Sequence, residues 1–217
     1  MKPSTNYTQK EELLNSISHA IGVIMAIVAA FILLNKASLL DTKVSVIATA
    51  TYIFGILFSY GASTIYHALP VGKNKQLLRK YDHAAIYLHI AGSYTPFTLI
   101  ALKDYDWWGY GLFTFIWISA LLGVILSFTH LKGHSRLSTV CYVLMGLSVL
   151  VAFKPLWNAL SAININSFYY VMAGGLSFII GALFYSLNKR KYMHSVFHVF
   201  CLIGSIFHIM AIYLILV

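Results

Sequence analysis

The chain repeatedly runs apolar for about 20 residues and then breaks for a short polar connection, the length a helix needs to cross a hydrocarbon core of about 30 Å. The runs are Ser16–Leu34, Val44–Leu69, Asp82–Leu102, Gly109–Phe128, Leu137–Phe153, Phe168–Leu187 and Ser195–Val217. In lipid every backbone polar group must be satisfied within its own segment, so such runs are expected to be helical. The expected fold is therefore an all-α, polytopic membrane protein: a seven-transmembrane helix bundle over residues 16–217, preceded by a short polar segment, 1–15. The segment before the first run lacks the basic start and small-residue cleavage signal of a secretory leader, so that run is read as a retained span.

Composition removes the soluble alternatives. Of 217 residues, 59% are hydrophobic and 10% charged, whereas a soluble domain of this size dresses its surface with roughly a quarter charged residues. The excess of 15 Lys and Arg over 6 Asp and Glu is scattered between apolar runs, so no basic face for nucleic acid is expected. Cys141 and Cys201 fall inside apolar runs and imply no disulfide framework.

The cations divide unevenly between connections. Lys73, Lys75, Arg79, Lys80, Lys132, Arg136, Lys189, Arg190 and Lys191 join Lys2 and Lys10 on one side, while Lys36, Lys43, Lys103 and Lys154 lie on the other. With seven crossings, this places the amino terminus in the cytoplasm and the carboxyl terminus outside. Tyr105, Trp107, Trp108, Tyr110 and Trp157 suit the outer headgroup region.

The third run is the least lipid-like, with Asp82, His83, His89, Ser93, Tyr94, Thr95 and Pro96. It is expected inside the bundle, kinked or opened after Pro96, with neighbouring polar groups satisfying the freed backbone. Gly174 and Gly175 are read as a close helix contact.

Three elements bring metal-capable side chains to one membrane depth. Ser63-x-x-x-His67 ends the second run, Asp82 opens the third, and His194-x-x-x-His198 opens the seventh. Residues four apart share a helix face, so His194 and His198 can offer two ring nitrogens to one ion, and His67 a third. His67, His194 and His198 are thus the expected zinc ligands. Asp82 is read as a proton acceptor or water-binding carboxylate beside the ion, and equally as a carboxylate stabilising a helix start; Ser63 as a hydroxyl orienting water or substrate, or easing helix contact. His19 is read first as an interface anchor or helix contact and otherwise as a partner behind the ligands. His89 and His208 lie deeper and are expected to be structural, and His130 and His134 are read as solvated loop residues.

The strings NSISHAIG at 15–22, YGASTIYHA at 60–68, YDHAAIYLHIAGSYTPF at 81–97 and HSVFHVFCLIGSIFH at 194–208 together resemble the bacterial haemolysin III family, related to the progestin and adiponectin receptor family of seven-helix membrane proteins. The resemblance implies a zinc ion on His67, His194 and His198 near the cytoplasmic face, with Asp82 and Ser63 as its neighbours, in the inner membrane of a bacterium. It is also similar to a wider hydrolase superfamily including alkaline ceramidases, which implies hydrolysis of a membrane-lipid amide or ester. Membrane lysis or pore formation, and a zinc-braced receptor or regulator without turnover, are the competing expectations.

Overall fold

The computed structural model describes residues 7–40, 42–129, 136–187 and 190–217. His130, His134, Lys2, Lys132 and Lys189 lie outside them. The elements are α1 (Gln9–Ser38), α2 (Lys43–Ala68), α3 (Lys73–Pro96) with a π-helical continuation (Phe97–Ala101), α4 (Trp107–Thr129), α5 (Arg136–Leu147) with a 3-10 continuation (Ser148–Ala152), α6 (Phe153–Ser186) and α7 (Met193–Ile215).

The bundle is all-α and multi-pass, but the expectation of seven apolar crossings is corrected. Among the described residues, five stretches are long and apolar enough to cross: Gln9–Ser38, Lys43–Ala68, Trp107–Thr129, Leu137–Ser186 and Met193–Ile215. Two physical causes account for the difference. The helix holding the expected third run starts at Lys73 and takes in Lys75, Arg79 and Lys80, making it too polar to qualify. The residues read as a connection between the fifth and sixth runs are helical from Phe153 onward, so those runs join in one stretch whose helices meet at a kink at Asn164 (φ −163°, ψ 114°).

The exterior is apolar and much of the interior polar or small, the arrangement lipid demands. Ile24, Phe31, Leu122 and Leu183 face outward. On α1 the inward stripe is Glu11, Asn15, His19, Gly22, Ala26, Ala29 and Leu33, spaced three and four apart. Gly22 permits its close approach, since a Cβ there would stand 2.7–2.9 Å from the Tyr60 ring of α2. A core of Leu33, Tyr52, Ile56, Leu160 and Ile212 ties α1, α2, α6 and α7 together.

Pro96 acts where expected. The helix widens into a π turn immediately after it, with Leu102 N–H donating to Phe97 O at 2.9 Å. Neighbouring hydroxyls cap local carbonyls: Thr95 Oγ1 donates to Ala91 O at 2.8 Å, and Thr98 Oγ1 to Tyr94 O at 3.0 Å. Tyr94 also accounts for the 3-10 turn between α5 and α6. Its hydroxyl reaches Gly146 O at 2.7 Å and accepts the Val149 N–H at 3.0 Å, replacing helical bonds at the junction.

Gly174 and Gly175 part company. A Cβ on Gly174 would fall 2.3 Å from the His208 ring and 3.0 Å from Gly204 O on α7, a true close contact. One on Gly175 would meet nothing within 4 Å, because that face borders a cavity.

Candidate metal centre

His67 is in the last turn of α2, His194 and His198 in the first turns of α7, and the start of α1 packs against both. The three histidines converge. His194 Nε2 lies 3.2 Å from His67 Nε2 and 3.1 Å from His198 Nε2, and the three ligand nitrogens all fall within 4.8 Å of one another. Each ring is buried, 2%, 7% and 1% exposed for His67, His194 and His198.

The opposite ring edges fix which nitrogens carry lone pairs. His67 Nδ1 lies 2.6 Å from Glu12 Oε2, and His198 Nδ1 lies 3.1 Å from Asn15 O. A carboxylate and a backbone carbonyl only accept, so both Nδ1 atoms donate and both Nε2 atoms present lone pairs inward. His194 Nε2 has at most one hydrogen and cannot satisfy both facing nitrogens in the same instant. A divalent ion resolves this: tetrahedral bonds of about 2.0–2.1 Å set ligand nitrogens about 3.3–3.4 Å apart, close to the spacing found. The cluster is therefore capable of coordinating a metal ion.

Asp82 and Ser63 line the same cavity as His194 and His198 without joining the three-nitrogen cluster. Asp82 Oδ2 lies 3.3 Å from His83 Nδ1. Asp82 sits about two and a half turns into α3, not at its start, so the reading of this carboxylate as a stabiliser of the helix start is corrected.

Other neighbours were less legible. Lys75, counted among loop cations, is 2% exposed; its Nζ lies 3.0 Å from Glu12 Oε1 and donates to Leu69 O at 2.8 Å. His19 stacks on His198 at 3.5 Å between ring centroids and 10° between planes, and neither of its ring nitrogens has a hydrogen-bond partner among the described residues. Tyr7 lies over His194, 4.9 Å between centroids; burial pushes its phenol well above the usual tyrosine range. Glu11 ties α1 to α7, accepting the Tyr192 N–H at 2.8 Å, while Thr8 and Glu11 form a capping box. The signal that marks Glu12 is its place beside Asn15 and His19, three and seven residues on, at the head of a polar stripe in an otherwise apolar helix.

From this layer a cavity of about 330 Å³ runs into the bundle. Its head carries Ser63, Asp82 and His194; its deeper wall is apolar, with Ile86, Ile90, Leu112, Leu147 and Ile179 among its members. Small-molecule pockets have this character, a largely apolar wall with a few convergent polar groups.

The haemolysin-III-related family model matches residues 7–209. The chain is 38% identical over 203 residues to "Hemolysin-3" of Bacillus cereus, covering 93% of this chain and 90% of that protein. It is 35% identical over 199 residues to "Hemolysin-3 homolog" of Bacillus subtilis (strain 168), covering 92% and 91% respectively.

Proposed function

Because the chain belongs to the haemolysin III family and gathers three histidines at the head of an apolar cavity, we propose that it is a zinc-dependent membrane hydrolase acting on a lipid amide or ester. The observation that carries this reading is the convergence of three inward Nε2 atoms beside a carboxylate that belongs to the cavity and not to the cluster.

His67, His194 and His198 would hold the ion, which when bound supplies Lewis acidity and lowers the pKa of water. Asp82 is placed to accept a proton from water entering at the cavity head and to return it to the leaving group. Ser63, which lines the same cavity, is the hydroxyl that would orient water or substrate there, and His83 Nδ1 stands 3.3 Å from the carboxylate. The apolar wall excludes water and receives an acyl chain directly from the bilayer. We also place the histidine end at the cytoplasmic face of a bacterial inner membrane, since Lys73, Arg79, Lys80, Arg190 and Lys191 border that end. The same motifs support kinship with the progestin and adiponectin receptor family.

The deciding experiment offers the purified, zinc-loaded protein a panel of lipid amides and esters and measures released fatty acid. Release is expected from wild type, with loss in Asp82→Asn at retained zinc content. A fully zinc-loaded wild type inert across the panel would end the hydrolase reading.

A second reading, membrane lysis, is favoured by the printed names of the relatives, which point to it more directly than to hydrolysis. Dye release from liposomes made of lipids that the protein does not cleave separates the two. Leakage without lipid turnover supports direct lysis, and leakage that follows product formation supports hydrolysis. A zinc-braced regulator without turnover would show neither.

A further inference from the structure

Glu12 stands behind His67, not in front of it. Its two carboxylate oxygens have separate partners: Oε2 meets His67 Nδ1 at 2.6 Å, and Oε1 meets Lys75 Nζ at 3.0 Å. The His67 side chain in this pair is fully buried, that of Lys75 is 2% exposed and that of Glu12 15% exposed. Lys75 is itself held by the carbonyls that close α2, at 2.8 Å from Leu69 O and 3.4 Å from His67 O. The lysine therefore fixes the carboxylate, the carboxylate fixes the ring, and the whole chain of contacts points away from the cavity.

A bond of this kind has a specific chemical effect. The carboxylate compels the Nδ1–H tautomer, leaves the Nε2 lone pair directed at the other two histidines, and makes the ring a stronger donor to a cation. A helix-to-helix strut would need only the Lys75 contact. The short second bond to a ring in the cluster has no purpose in a strut, and Lys75 keeps the buried carboxylate charged so that it can serve as acceptor.

We propose that Glu12, anchored by Lys75, is a positioning residue for zinc that acts through His67, making the first turns of α1 part of the metal site although they supply no ligand. This rests on the reading of His67, His194 and His198 as zinc ligands, but not on turnover.

The test uses the full-length protein in detergent and reads zinc affinity by competition with a chromophoric chelator, before any activity assay. Glu12→Gln, which keeps size but removes the charge, is expected to weaken zinc binding by about 10- to 100-fold, the usual effect of losing a carboxylate behind a ligating histidine. The visible absorption bands of the cobalt-loaded variant should shift, and the fall in melting temperature, part of which comes from leaving Lys75 unpaired, should be larger for the zinc-loaded than for the metal-free protein. Glu12→Asp should recover part of the affinity. Wild-type affinity in Glu12→Gln, or an equal loss of melting temperature with and without metal, would overturn the proposal by leaving only a strut.

Nitrogen-15 histidine NMR of the unaltered zinc-loaded protein keeps the question decidable even if the variant does not fold. It should find His67 protonated at Nδ1 and bound through Nε2; binding through Nδ1 would overturn the proposal. A wild type that binds no zinc overturns it together with the hydrolase reading. One that binds zinc but cleaves no lipid sinks the hydrolase reading alone, and the affinity ratio still decides the part of Glu12.

Discussion

Two groups of histidines inside this bundle differ in what their rings face. His67, His194 and His198 turn Nε2 toward one another, with Glu12 and Asn15 taking the Nδ1 hydrogens of His67 and His198. His89 and His208, deeper in the bundle, meet aromatic edges instead: His89 packs on Tyr60 and Phe178, and His208 on Phe97 and Phe178. His89 Nε2 has a neutral partner, Ser205 Oγ at 3.3 Å, which is bonded in turn to the Tyr60 hydroxyl at 2.6 Å. Residue type is common to both groups, and His89 is buried like the converging rings while His208 is half-buried. What separates them is whether lone pairs converge and whether acceptors behind the rings force them to.

The sharpest way to break this contrast is to remove a ligand. His194→Ala should abolish stoichiometric zinc binding, weakening it by more than about 100-fold, a larger loss than a group behind the ligands produces; elemental analysis after gel filtration reads it out. Chelation comes next. If free zinc is supplied at about 1,000 times its Kd, binding stabilises the fold by about 4 kcal/mol, so a chelator should lower the melting temperature of wild type and leave that of His194→Ala unmoved.

The deeper pair answers to packing. Gly174→Ala would drive a Cβ to 2.3 Å from the His208 ring and should cost about 1–3 kcal/mol in a denaturation assay with zinc content intact. Gly175→Ala, one residue on but facing open space, should stay within about 0.5 kcal/mol. His89→Gln should fall between them, losing a neutral hydrogen bond worth about 1 kcal/mol with no change in zinc affinity. A fall in zinc affinity for His89→Gln would blur the distinction between the two groups.

How much of this could be read from the chain depends on whether a signal was local. The apolar runs announced a membrane bundle, and spacings of four announced that His194 and His198 share a face, since both follow from helix geometry alone. The meeting of His67 with that pair, 127 residues apart for His67 and His194, was reachable because both lie at the same end of their runs. The number of crossings was not, because a hydropathy reading takes the residues from Lys154 to Ser167 as a connection when they are helical on both sides of a kink at Asn164. Lys75 looked like a loop cation because its stem reveals nothing of the acceptor that waits on α1. Asp82 looked like a helix start because the residues before it are charged; two and a half turns of cationic helix precede it.

The contacts of α1 with α7 carry a temporal implication. Asn15 O meets His198 across 183 residues, Glu11 meets Tyr192 across 181, and Ser195 reaches Asn15 Oδ1 at 2.6 Å across 180. α1 must wait in the bilayer for α7, with the Asn15 side-chain oxygen unmatched until α7 inserts, although Glu12 already meets α2. Capture of an ion by the three histidines then waits for the insertion of α7, and metal occupancy would serve as a certificate that α2 and α7 have been brought together.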